Sequence, residues 1–242
     1  PAPSLRALLL LPETLTMLGF MAMYNLKCSL YIETYSDQSR LWFDETSAST
    51  LDLLFNVAFP VGGLVTSGFA SLLLHRHGQR PEVYMAVVFV GANLFGILQL
   101  LPYVPTQVLA SLVFGAARTL QWACYFHFLT SPDRYPPSVS GRMLGYGNLV
   151  IALVGDVTPY ALVSYVDRGP WPRARRLRYT LVHAVLELGV LVCCAIFPRS
   201  LRRGRRKTRA EGGAQPLRAD DAAVNASQQP VAARAAEDRG AS

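Results

Sequence analysis

The chain has 242 residues, 51% of them apolar and only 16% charged, with 23 basic against 16 acidic side chains. Residues 1–198 carry 13 basic and 11 acidic groups, and residues 199–242 carry 10 and 5, so a nearly neutral, very apolar body precedes a basic, polar end. This excludes a disordered body. It also argues against a nucleic-acid partner, because the basic excess lies beyond the last apolar stretch instead of on a face of the body. Cys28, Cys124, Cys193 and Cys194 all lie in apolar runs and read as reduced, buried small hydrophobes, not as a secreted disulfide framework.

A membrane-crossing helix needs about 20 mostly apolar residues. Six stretches qualify: 10–32, 51–74, 83–101, 105–130, 143–166 and 179–198. Pro81, Pro102, Pro105, Pro132, Pro136, Pro137, Pro170 and Pro172 punctuate the gaps, as helix-ending residues do. The fold class is an all-α membrane protein with six transmembrane helices, a cytoplasmic lead-in at 1–9 and a disordered basic cytoplasmic tail at 199–242. The first stretch is too long for a signal-peptide core, and no small-residue cleavage site follows it. The missing initiator Met fits a processed form or a fragment.

With both termini in the cytoplasm, twelve basic residues fall inside and six outside. The acidic 33–50 loop then faces out. Arg168, Arg173, Arg175, Arg176 and Arg178 break the rule in the last outer loop. The first residues of the tail, from Arg199 to Arg209, read as a stop-transfer anchor that can also hold anionic lipid head groups.

Charges inside spans are costly, so they default to functional hypotheses. Arg118 and Asp156 each lie about 13 residues into their spans, near mid-bilayer at roughly 1.5 Å per residue, and are expected to pair. Such a pair would serve as a gate or substrate contact, or only as a lock between two helices. Lys27 falls in the outer third of the first span, where its stem could snorkel to the interface. Tyr24, Lys27 and Tyr31 share one face by their i, i+3, i+7 spacing, with Asn25 beside them. His183 and Glu187, four apart, read as a local pair, since no third residue completes a metal-ligand spacing. Asn56 with Pro60, Gly62 and Gly63 marks a place to bend, and Gly141, Gly145, Gly147 and Gly155 allow close helix packing. Among the motifs G-x-S-x-G, H-E-x-x-H, a P-loop lysine and CxxC, none occurs, so neither an enzyme nor a cofactor or metal site is expected.

Several motifs carry a resemblance. His75-Arg76-His77-Gly78-Gln79-Arg80 resembles the D-R-x-G-R-R loop of the major facilitator superfamily, with Arg76, Gly78 and Arg80 keeping the pattern. Asn25-Leu26-Lys27-Cys28-Ser29-Leu30-Tyr31-Ile32 resembles the [QN]-L-R-x-x-F-Y-[MI] segment of the amino-acid transporters of solute carrier family 43 and their fungal and protozoan relatives. Phe55 to Gly63 and Gly141 to Gly145 resemble segments of that family's eighth and eleventh helices. Lys27 keeps the charge of the pattern's Arg but not its bidentate fork.

The resemblance implies the C-terminal half of a twelve-helix transporter working by alternating access, with a small organic solute, first of all an amino acid, bound near the midplane. Lys27, Tyr24, Asn25, Tyr31, Asn56, Arg118 and Asp156 are then the substrate-binding or gating candidates. Arg76, Gly78 and Arg80 form the conformational loop. The partners expected are the solute, membrane lipid, and either a missing N-terminal half or a second copy. The plasma membrane is preferred over an organelle membrane. The alternative is a non-transporting membrane adaptor that keeps the fold.

Overall fold

A computed structural model of the chain describes residues 4–168 and 171–212, with side chains as far as Arg202. Nearly all described residues are helical, and there is no strand among them. The chain divides into two units, Pro1–Arg202 and Arg203–Ser242; in the second, the backbone as far as Gly212 is helical. The elements are α1 (Leu5–Leu9), α2 (Pro12–Trp42), α3 (Glu45–His77), α4 (Pro81–Gln99), α5 (Val104–Thr130), α6 (Pro137–Ala152), a widened π turn (Leu153–Val157), α7 (Thr158–Val166) and α8 (Pro172–Gly212).

Helix starts follow local chemistry. Pro12, Pro81 and Pro137 occupy first-turn positions, where the missing N–H costs nothing. Asp44 caps α3 by accepting from the Ser47 amide at 3.1 Å and the Ser47 hydroxyl at 2.8 Å. Those two bonds hold the exposed Asp44 carboxyl below its ordinary pKa.

Three boundaries differ from the sequence reading. The first span continues through residues 33–42, so the expected 33–50 loop shrinks to Phe43 and Asp44. That segment holds neither Pro nor Gly, and Ser36 ties it to α3 by donating to Asp52 at 2.8 Å. The last helix starts at Pro172 instead of 179, and Arg173 to Arg178 lie in its first turns. Two of these arginines close the end of α7. Arg175 pairs with Asp167 at 2.9 Å, and Arg178 donates to the carbonyls of Arg168 and Tyr165. They therefore have a local reason to be there, apart from any rule of orientation. The same helix runs on past 198 to Gly212, so the start of the expected disordered tail is helical, and residues 213–242 lie outside the described ones.

Four helical rods are long and apolar enough to cross a membrane: Glu45–His77, Pro81–Gln99, Pro137–Val166 and Pro172–Arg202. Three of them carry the same exposed stripe at 4, 4, 3 spacing. It runs Leu53, Val57, Val61, Leu64 on α3; Leu149, Leu153, Val157, Tyr160 through the π turn; and Leu177, Leu181, Val185, Leu188 on α8. Meanwhile Lys27, Gln99, Gln107, Gln121, His183 and Glu187 are buried. Apolar outside and polar inside is the arrangement of a bundle solvated by lipid, and this is a membrane protein. The two other long helices, α2 with 31 residues and α5 with 27, carry buried residues from one end to the other.

Helix α5 packs on α3 and α4 and also meets α2 and α6. Glycines set the α3–α5 approach. A methyl on Gly62 would lie 3.1 Å from the Leu112 carbonyl oxygen and one on Gly63 3.0 Å from Thr119 Oγ1, while one on Gly115 would strike the Phe59 carbonyl. Of the four glycines expected to pack closely, only Gly147 and Gly155 do; nothing lies within 4 Å of a methyl at Gly141 or Gly145. Gly115→Leu should therefore destabilise the detergent-solubilised protein by about 1–3 kcal/mol in thermal unfolding, as overpacking does. Gly141→Ala should cause no loss in the same measurement.

Candidate functional site

Because α2 runs from Pro12 to Trp42, Lys27 lies midway along it and not in an outer third. Its side chain has no exposed surface, so it does not snorkel. The ammonium is paired with the Glu187 carboxylate of α8 and lies 5.0 Å from the centroid of the Phe95 ring of α4. Gly96 makes room for this: a methyl there would overlap the Glu187 carboxylate. Three helices thus meet at one ion pair.

The tyrosines of the same α2 face are also turned inward. Tyr24 is fully buried and stacks on Phe20 at 5.7 Å. Tyr31, equally buried, lies among Tyr35, Phe55, Phe95, Phe114 and the His183 ring. The stripe inferred from spacing is therefore real as a face, but it is the packed face of α2. Asn56 lies on α3 as an exposed residue beside Phe55 and joins neither group.

Arg118 and Asp156 are not partners, contrary to the expectation from their matching depths; among the described residues the ion pairs are Lys27–Glu187 and Arg175–Asp167. Helix α2 lies against both of their elements instead. Asp156 Oδ1 accepts from Asn25 Nδ2 at 3.0 Å and from Ser29 Oγ at 3.3 Å. Gly155 lets Asn25 come this close, since a methyl there would overlap its amide. On α5, the buried Nη1 of Arg118 has no hydrogen-bond partner.

Asp156 is exposed and lies in the π turn. Pro159 gives the reason for that turn: it has no N–H for the Gly155 carbonyl, and its ring would clash with that carbonyl in a regular α-helix. One inserted residue relieves the clash and moves Asp156 out of the regular ladder, a distortion common at functional positions. Pro159 was the available sequence signal.

His183 and Glu187 do not form the expected local pair. Both His183 ring nitrogens and Glu187 Oε1 are buried without a hydrogen-bond partner. In the 75–80 segment, Arg76 and Arg80 are exposed, and Gly78 is the structural element. Its carbonyl lies 3.1 Å from His127 Nε2, and a methyl on it would collide with that ring. Ser29, Gly96 and the role of Glu187 were missed from sequence, and His127, which reads from sequence as a cavity or interfacial residue, is instead a partner of the Gly78 carbonyl. Only Glu187 had a signal, as the second acid among four mid-span charges. No described group of three or more His, Cys, Asp or Glu is placed to hold a metal ion.

No protein-family model, curated protein or solved structure matches the chain.

Breaking the central pair should be costly. Lys27→Met or Glu187→Gln alone is expected to destabilise the protein by about 3–5 kcal/mol, because each strands a buried charge or polar partner. The double variant should recover most of that loss. Additive losses in a double-mutant cycle of chemical denaturation would show that the two are uncoupled.

Proposed function

We propose that this chain is the C-terminal six-helix half of an alternating-access transporter for a small organic solute, an amino acid first of all. In this reading α2 and α5 cross the membrane along with the four apolar rods. Their lower hydropathy reflects burial at the centre of the bundle and the lining of a path. The termini are cytoplasmic and the protein resides in the plasma membrane. The missing half, or a second copy, encloses the path from the other side.

The observation that carries this reading is Asp156 in its π turn. It is an exposed acid inside a membrane-length rod, two thirds of the way along it, steadied through one oxygen by Asn25 and Ser29. A charge at that depth is expensive unless it is used. Asp156 would take the ammonium of an amino acid, and the free Nη1 of Arg118 would take its carboxylate. With Lys27 committed to Glu187, the carboxylate contact passes to Arg118. The motif resemblance at residues 25–32, 55–63, 75–80 and 141–145 supports the same fold and solute class.

Uptake of a radiolabelled neutral amino acid by the full-length protein should fall at least tenfold, about 1.4 kcal/mol, in both Asp156→Asn and Arg118→Gln, with surface expression retained. No uptake by wild type correctly delivered to the surface would favour the non-transporting adaptor. Topology can be tested separately. A membrane-impermeant maleimide applied outside should label a cysteine introduced at Ser49 but not one at Ser138, and labelling of both would overturn the six-span arrangement.

A further inference from the structure

We propose that His183, with Glu187 and Lys27, forms a proton-binding site that links the hydration of the α2–α4–α8 contact to pH. Three observations converge on it. His183 is 1% exposed and has no hydrogen-bond partner at either ring nitrogen. Glu187, one turn further along α8, gives one oxygen to Lys27 and leaves Oε1 buried and unpaired. Gly96 leaves the carboxylate packed directly against the α4 backbone, with no side chain of α4 between them.

Residues at i and i+4 lie on one helix face. A proton that arrives at a His183 nitrogen turns a neutral imidazole into an imidazolium, whose N–H can donate to Glu187 Oε1. The carboxylate then bridges two cations, and no other bond changes. Among the described groups near the cluster, α2 offers Lys27, Tyr24, Cys28 and Tyr31; α5 offers Arg118; and α8 offers Cys194 besides the cluster itself. At the contact α4 presents the uncharged Phe95 and Gly96. The only acid in this set is Glu187, already matched by Lys27, so with Arg118 counted an added proton raises the net charge from one positive to two.

That net charge decides the direction. In the dry, packed contact the extra charge is penalised, and in a conformation that admits water it is not. The proton therefore binds the hydrated conformation more tightly, and lowering pH shifts the population toward it. An accessible imidazole titrates at about pH 6.5, so between pH 8 and pH 5 the hydrated conformation gains about thirtyfold over the dry one. The proton site needs no solute and stands apart from the transport reading.

The test uses the purified chain in lipid nanodiscs. Amide hydrogen exchange of α2 and α8, corrected for the intrinsic pH dependence of exchange, is compared at pH 8 and pH 5. Protection around residues 183–194 should fall by about tenfold or more in wild type at the lower pH and stay unchanged in His183→Gln, which leaves the ion pair intact. Equal protection at both pH values in wild type, or the same fall in His183→Gln, overturns the proposal. If His183→Gln does not fold, a form with His75, His77 and His127 replaced by Gln leaves His183 as the sole histidine. Its nitrogen NMR signals should then titrate between pH 8 and pH 5, and signals fixed as neutral imidazole throughout that range would equally overturn the proposal.

Discussion

An ammonium and a carboxylate shut inside an apolar bundle must find each other, and the contact of Lys27 with Glu187 organises much of what surrounds it. Neither group can reach water, so α8 is held against the centre of α2 at a fixed register. The same register brings Thr16, near the start of α2, to 2.7 Å from Ser200 of α8. It also places the end of the Met23 side chain directly over Gly189. On α4, Gly96 accommodates the carboxylate and Phe95 gives its ring face to the ammonium. A residue larger than glycine at position 96 would push the acid away from its partner.

The bundle's polarity runs opposite to that of a water-soluble protein. Rows of Leu and Val face outward on α3, α6–α7 and α8, while amides, hydroxyls and charges gather between the helices. In lipid there is little hydrophobic drive for helices to associate, so close packing and interior polar contacts must hold them together. The α3–α5 crossing supplies the first through Gly62, Gly63 and Gly115. Central α2 supplies the second through Lys27, Asn25 and Ser29. The aromatic cluster around Tyr31 fills the space between these two seams.

The interior charges fall into two kinds. Lys27 and Glu187 are buried and pair through one carboxylate oxygen, with Oε1 left over. Asp156 is exposed and only partly satisfied, and Arg118 keeps a free buried nitrogen. A buried ion pair fixes structure, and the proposed solute contacts are the two charges that have no ionic partner. The π turn at Leu153–Val157 draws this distinction on the α6–α7 side, since it sets Asp156 outside the regular hydrogen-bond ladder.

By itself the sequence determined the class of molecule and its punctuation. Long apolar stretches separated by prolines can be satisfied only as helices in lipid, because an unpaired backbone has no partner there. All six stretches are helical over nearly their whole length, and four of the rods meet the length and apolarity of a membrane span. The cost of burying charge also singled out Lys27, Arg118 and Asp156 before any contact was visible. What it could not determine was which charge meets which. Depth along a helix can be counted from residue numbers, but the direction a side chain faces depends on where the helix begins and how its neighbours rotate about it. Ten further residues on α2 moved Lys27 from the edge to the centre, and rotation of α8 brought Glu187 to it, leaving Arg118 and Asp156 unpaired with each other. Pairing is a property of three-dimensional proximity, and that was decided by the tertiary structure alone.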